Sequence, residues 1–386
     1  MIVSISNPVF QTLIFSAFFF LAFILMIRKG TDSGSLSISK TQELKGFAIL
    51  VIVLSHIAYF LVSDHQFLWP LSIMAGVGVN LFLFLSGYGL TISNLKNNLS
   101  IWQFYKRRLV KLFIPLWPML ILFFTLDFFV LHLSYSWAYI GRTMLGIITH
   151  ADLYQDVNSP LWYLTLIIFF YLLFPLFFSK KRPWLSAILL FLAAYGVIYF
   201  KPSSLDQVIH LYKVHTAAFP LGVLFAWVMT SIKFDKLEIV WAKIKPLARG
   251  LIYYLSIIIL IGIFYYSVKY PGIGGNADRE QLMSLISVVS LTLIFILKKV
   301  DFKFFYLFGL YSYEIYLWHW PIMYHYDFLY SWLPVWLATA LYLVFFVVLG
   351  WVTSKLVELI MGKKPAVIVS PVSSIVDKNK KVLYNN

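Results

Sequence analysis

Residues 43–60 read ELKGFAILVIVLSHIAYF, a run apolar enough for lipid that still begins with Lys45 and carries His56 in its middle. About 20 apolar residues is what a bilayer asks of a helix, because roughly 30 Å of hydrocarbon at 1.5 Å per residue needs that many. Working outward, ten more stretches of this kind follow the same rule. The eleven candidate spans lie near 8–27, 45–63, 71–94, 112–134, 160–178, 184–200, 214–232, 250–268, 281–297, 304–325 and 333–360. Helices are the expected form, since a lone strand in lipid leaves its backbone groups unpaired. The expected fold is all-α, a polytopic membrane helix bundle.

Composition points the same way. The 386 residues are 61% hydrophobic and 12% charged, where soluble domains carry roughly 25% charged residues. The net charge of +15 would suggest nucleic acid in a soluble protein. Here the basic residues sit between apolar runs, where loop charge reports orientation. Membrane lipid is therefore an expected partner and nucleic acid is not. The absence of cysteine excludes disulfides, thiolate nucleophiles and cysteine-ligated metals. No spacing of histidines and carboxylates predicts a metal site.

Loop charge sets the topology. One alternate set of loops holds Arg28 and Lys29, Lys40 and Lys45, Lys106 to Arg108 with Lys111, Lys180 to Arg182, Lys233 to Arg249, Lys298 to Lys303 and a Lys-rich tail. About 26 of the 31 Lys and Arg fall on that side, which the positive-inside rule assigns to the cytoplasm. The N-terminus is then outside and the C-terminus cytoplasmic. No basic residue precedes the first apolar run, and Arg28 and Lys29 follow it. That order belongs to a retained helix, not to a cleaved leader. The expected division is 1–42, an extra N-terminal transmembrane helix and cytoplasmic linker; 43–362, the main membrane domain; and 363–386, a short polar cytoplasmic tail.

Four constellations can carry chemistry. Eleven helical residues turn through about 1100°, so Lys45 and His56 share a face roughly 16 Å apart. A polar group at membrane depth usually faces a cavity or a partner helix, which makes His56 and Lys45 the candidate catalytic residues. Packing against a neighbouring helix is the plainer role for such a histidine. If His56 is a base, its orienting partner comes from another helix, because Ser55 points about 100° away. In YKRRLVKLFIP, residues 105–115, Arg108 and Lys111 stand at i and i+3 and Arg107 and Lys111 at i and i+4. Such cations suit phosphate, although positive-inside charge also explains them.

In GLYSYEIYLWHWPIMYH, residues 309–325, Ser312, Tyr316 and His319 form one polar stripe. Glu314 is about 200° round from Ser312, on a different face. A carboxylate inside a span is a functional-site candidate by default; an interfacial belt accounts for the aromatic members equally simply. In GVGVNLFLFLSGYGL, residues 76–90, the small residues predict close helix packing. Asn80 in that stretch is a candidate to reach a catalytic group. Asp127, and the outer loop with Arg142, His150, Asp152 and Asp156, complete the buried or clustered polar residues.

Taken in order, these segments resemble integral-membrane acyltransferase family 3. The carriers are the run from Lys45 to His56, NLFLFLSGYG, KRRLVKLFIP and SYEIYLWHWP. The resemblance covers roughly residues 43–360. It implies ten shared spans, with 8–27 as an extra N-terminal helix. It also implies transfer of an acyl group, commonly acetyl, from cytoplasmic acyl-CoA to a hydroxyl of a cell-surface carbohydrate or its precursor. The chain is then a membrane O-acyltransferase of O-acetyltransferase type in a multi-pass cell-membrane protein. No cofactor is held permanently, acyl-CoA being the donor substrate.

On this resemblance His56 acts as base, Arg107, Arg108 and Lys111 hold the CoA phosphates, and Asn80, Ser312, Tyr313, Glu314, Tyr316 and His319 face substrate. Glycan-assembly proteins are partners consistent with it. Lys45 and Lys111 stand where the family has arginine, and Asn80 where many relatives have aspartate. Both lysines keep the charge and lose the bidentate fork. The rival reading is a transporter or flippase for a lipid-linked sugar or anion, with His56 and Glu314 in a proton path.

Overall fold

The computed structural model describes residues 3–30, 36–58, 66–97, 100–153, 155–232, 243–270 and 275–362. The polar tail at 363–386, the end of the second expected span at 59–63, part of the linker at 31–35 and the basic-loop stretch 233–242 lie outside the described residues.

The helices are α1 (Pro8–Leu25), α2 (Ile38–His56), α3 (Ala75–Lys96), α4 (Ile101–Phe129), α5 (Trp137–Met144), α6 (Trp162–Phe177), α7 (Pro183–Phe200), α8 (Ile209–His215), α9 (Ala218–Ser231), α10 (Pro246–Ser267), α11 (Ala277–Leu297), α12 (Lys303–Leu310), α13 (Ser312–Tyr324) and α14 (Val335–Ile360). Among the described residues nine segments are long and apolar enough to cross a membrane, α8 and α9 counting as one, Ile209–Ser231. The other two expected spans are helical but of a different kind. α2 carries Lys40, Glu43 and Lys45 within its 19 residues. The expected span 304–325 breaks at Tyr311 into α12 and α13, of 8 and 13 residues. A short antiparallel ribbon, β1 (Ile27–Lys29) with β2 (Val300–Phe302), sets Arg28 opposite Asp301 and ties the end of α1 to the turn before α12.

α2 is the central helix, with Leu44 and every residue from Ala48 to Ser55 buried. Glycine lets its neighbours approach to backbone distance, the arrangement membrane bundles use in place of a hydrophobic driving force. A Cβ on Gly46 would stand 1.7 Å from the Phe305 carbonyl oxygen, and one on Gly309 1.9 Å from that of Gln42. α2 and α12 therefore cross with no side chain between them. In the small-residue stretch of α3 the expected packing role holds for Gly87, whose Cβ would meet the Phe219 oxygen of α9 at 2.2 Å. Gly89 differs, because a Cβ there meets nothing within 4 Å. At the periphery, α10 buries only Ser267 and α1 only Phe15. Phe18 of α1 stacks on Trp336 of α14 at 5.4 Å.

Two connections dip into the bundle and position the site. α6 has 16 residues, about 24 Å of helix against roughly 30 Å of hydrocarbon. The turn before it, Ser159–Leu161, is buried. Non-helical backbone at such depth needs protein partners. Asn158 Nδ2 donates to the Leu317 carbonyl at 2.9 Å, and Tyr316 Oη to the Pro160 carbonyl at 2.6 Å. The Leu317 oxygen is available because Pro321, four residues on, has no N–H to give it. Likewise, Ser55 Oγ donates to the Leu71 carbonyl at 2.5 Å and accepts the Met74 N–H at 3.2 Å. His56, the next residue, closes α2.

Candidate active site

A cavity of about 720 Å³ opens between α2, α3, α4, α6, α12, α13 and α14. α2 supplies Gln42, Lys45, Ile52 and His56 to its wall, a stripe at helical spacing that keeps Lys45 and His56 on one face as their separation implies. α4 contributes Arg108, Lys111 and Pro115, and α13 contributes Ser312, Tyr313, Glu314 and Tyr316. Segments far apart in sequence thus share one space.

The basic end gathers Lys45, Arg108 and Lys111. The charges of Arg108 and Lys111 both bear on Lys45, and among the described residues neither Lys45 nor Arg108 forms an ion pair with a carboxylate. As the eleven-residue spacing on α2 implies, Lys45 stands about 16 Å along the helix from His56, among these cations. Glu358 lines the same end but is engaged by Lys355 at 2.8 Å. Arg107 is exposed and does not line the cavity. One residue's turn on α4, about 100°, separates it from Arg108.

At the other end stands His56. Its Nδ1 lies 2.8 Å from Nε2 of His319, with the two rings nearly coplanar, edge to edge, their centroids 5.1 Å apart and their planes 11° from parallel. His319 is fully buried and stands behind His56, not on the cavity wall. Its Nδ1 is 2.8 Å from the Tyr316 carbonyl and 3.1 Å from that of Ile315. The edge of Trp320 packs against His56 at 5.2 Å. The histidine bonded to His56 thus comes from another helix, α13.

Ser312 and Tyr316 line the cavity together, as their stripe implies, and Glu314 lines it too. Ser312, Tyr313 and Glu314 all border the cavity although they stand on different faces of the first turn of α13, which starts just after the break at Tyr311. The hydroxyl hydrogens of Tyr313 and Tyr316 are already given to the carbonyls of Leu112, at 2.8 Å, and Pro160. These tyrosines therefore offer ring surface to the cavity. Two lining residues carried no signal of their own: Ser86, read only as a small packing residue, and Tyr171, whose hydroxyl lies 2.8 Å from Ser86 Oγ.

Asn80 is fully buried and off the cavity wall. Its Oδ1 lies 2.8 Å from His215 Nδ1, and its Nδ2 donates to Ser284 Oγ at 2.7 Å. His215 in turn stacks on Trp162, a lining residue, at 5.3 Å. A lone histidine in a short helix gave no pattern by which to find it. Asp127 makes no contact with His56. It accepts from the hydroxyls of Tyr135 and Tyr326, each at 2.5 Å, with His325 Nδ1 at 3.5 Å. In the outer loop His150 pairs with Asp156 at 2.7 Å, and Asp156 also accepts the Asp152 N–H. Burial holds the Asp156 carboxyl above its usual value despite these partners. Arg142 is occupied by the Ala138 carbonyl and Thr149.

The fold and cavity define a polytopic membrane helix bundle with a basic-ended internal site. A family model of acyltransferase domains, that of the membrane acyltransferase 3 proteins, matches residues 44–355, and the chain belongs to that family. It is a membrane acyltransferase. The match begins within α2, so α1 precedes it. No curated protein and no solved structure matches the chain.

Proposed function

We propose that this acyltransferase moves an acyl group, acetyl in the simplest case, from acyl-CoA to a hydroxyl of a cell-surface polysaccharide or its precursor. The observation that carries the reading is the continuity of the cavity, which joins Lys45, Arg108 and Lys111 at one end to His56 at the other. Polyanionic CoA phosphates suit the cations, and the thioester then reaches toward the imidazole. Arg107 falls outside this assignment because it does not line the cavity. The basic end faces the cytoplasm on the positive-inside rule, with the N-terminus outside and the C-terminus inside.

A thioester is already activated, so the reaction needs chiefly a base for the hydroxyl proton and donors for the developing oxyanion. His56 is the base. Ser312, at the start of α13, lines the same cavity and offers its hydroxyl to substrate. Glu314, in the same turn, binds acceptor hydroxyls. The test is the ester-linked acyl content of surface polysaccharide in cells carrying His56→Ala. Acylation is expected to vanish while protein abundance and glycan export persist. Normal acylation in that variant would sink the assignment, and lost export of unacylated glycan would favour transport.

A further inference from the structure

We infer that His319 is a positioning residue that decides which nitrogen of His56 acts as the base. The inference rests on the acyl-transfer reading above but is argued from hydrogen-bond chemistry alone. A carbonyl oxygen can only accept. His319 Nδ1 lies 2.8 Å from the Tyr316 oxygen and 3.1 Å from the Ile315 oxygen, so that nitrogen carries the hydrogen. In the neutral ring the other nitrogen, Nε2, then holds the lone pair. His56 Nδ1 is 2.8 Å from it and must be the donor. The basic lone pair of His56 is thereby assigned to Nε2, on the residue that lines the cavity.

The alternative protonation fails on cost. Were His319 to carry both hydrogens, an imidazolium would be fully buried, with another imidazole edge to edge beside it. No carboxylate pairs with it among the described residues, and an unpaired buried charge is heavily penalised. Both carbonyls that hold His319 belong to the preceding turn of its own helix, so the hydrogen on Nδ1 is set by local backbone geometry. Tautomers of a histidine are decided by the bond its other nitrogen makes. Here that decision passes from backbone to His319 to His56.

In the reaction the acceptor O–H bond breaks and its proton goes to His56 Nε2. The hydroxyl oxygen bonds the acyl carbon and the carbon–sulfur bond breaks. The proton on Nε2 then passes to the departing thiolate, giving the ester and free CoA. Throughout, His319 Nε2 accepts from His56 Nδ1–H, which supports the imidazolium while it lasts.

Glutamine at position 319 can reproduce both bonds, its amide N–H to the carbonyl and its amide oxygen to His56, without an ionisable ring. Membrane vesicles supplied with radiolabelled acetyl-CoA, with label counted in polymeric carbohydrate, give the apparent Vmax and the KM for acetyl-CoA. His319→Gln is expected to stay within about threefold of the native Vmax, and His319→Leu to fall by roughly 10²–10⁴-fold at unchanged KM, as for other wrong-tautomer histidines. Equal loss in both variants, or native rates in the leucine variant, would overturn the inference. ¹⁵N-histidine spectra of the purified full chain test it without activity. A hydrogen on Nδ1 of His56 is expected, and one on Nε2 in the neutral ring would refute it. Vesicles of the native protein that incorporate no label would instead remove the acyl-transfer reading and leave the tautomer result standing.

Discussion

Glu43 and Lys45 stand two residues apart on α2 and meet opposite surroundings. Glu43 is fully buried, 2.7 Å from Lys298 Nζ, and accepts the Phe302 N–H at 3.1 Å. Lys45 lines the cavity and feels two further cations. About 200° of helix rotation separates them. The packing face of α2 resolves its charge within the protein, because a buried ion without a partner is costly. The cavity face accumulates like charge that an anionic ligand would relieve. Like charge gathered on one face, not charge itself, distinguishes the site.

Three tests would break or sharpen that contrast. The largest effect is expected on the packing face: Gly46→Leu drives a side chain into the α12 backbone, where even a Cβ would lie 1.7 Å from the Phe305 oxygen. Loss of folded protein, measured as the monodisperse fraction after detergent extraction, is the expected result, and a normal fraction would mean that the two helices part readily. Next, Glu43→Ala strands Lys298 and should cost about 3–5 kcal/mol, whereas Glu43→Leu with Lys298→Met should restore most of it. Thermal unfolding in detergent measures both; equal losses would show that the ion pair contributes beyond neutralising itself. The smallest effect belongs to the cavity face. Lys45→Gln should leave the fold intact and raise the KM for acetyl-CoA about tenfold, the loss of one charge-assisted contact of roughly 1.5 kcal/mol. An unchanged KM would return Lys45 to membrane topology.

Much of the architecture was legible because the bilayer imposes one length on every span. The helix positions, the shared face of Lys45 and His56 and the packing glycine Gly87 all follow from periodicity and hydropathy. Legibility stopped where distant segments meet. The break at Tyr311 divides what hydropathy reads as one span, 304–325, into two helices. The one-residue difference between Arg107 and Arg108 was invisible because either forms a helical pair with Lys111. Asn80 had a visible depth but no visible partner, and His215, which fills that role, lies 135 residues away.

By itself, then, the sequence determined that this is a membrane helix bundle, which way its charge is distributed, and that an imidazole sits at depth on α2. These are local properties, set by side-chain chemistry and helical geometry within about twenty residues. Only the tertiary structure decided that His319 stands behind His56, that Lys45 joins the cations of α4, and that Asp127 is consumed by its own tyrosines. Each of those depends on which helices cross and how closely. The glycines at 46 and 309 control that by letting two backbones touch.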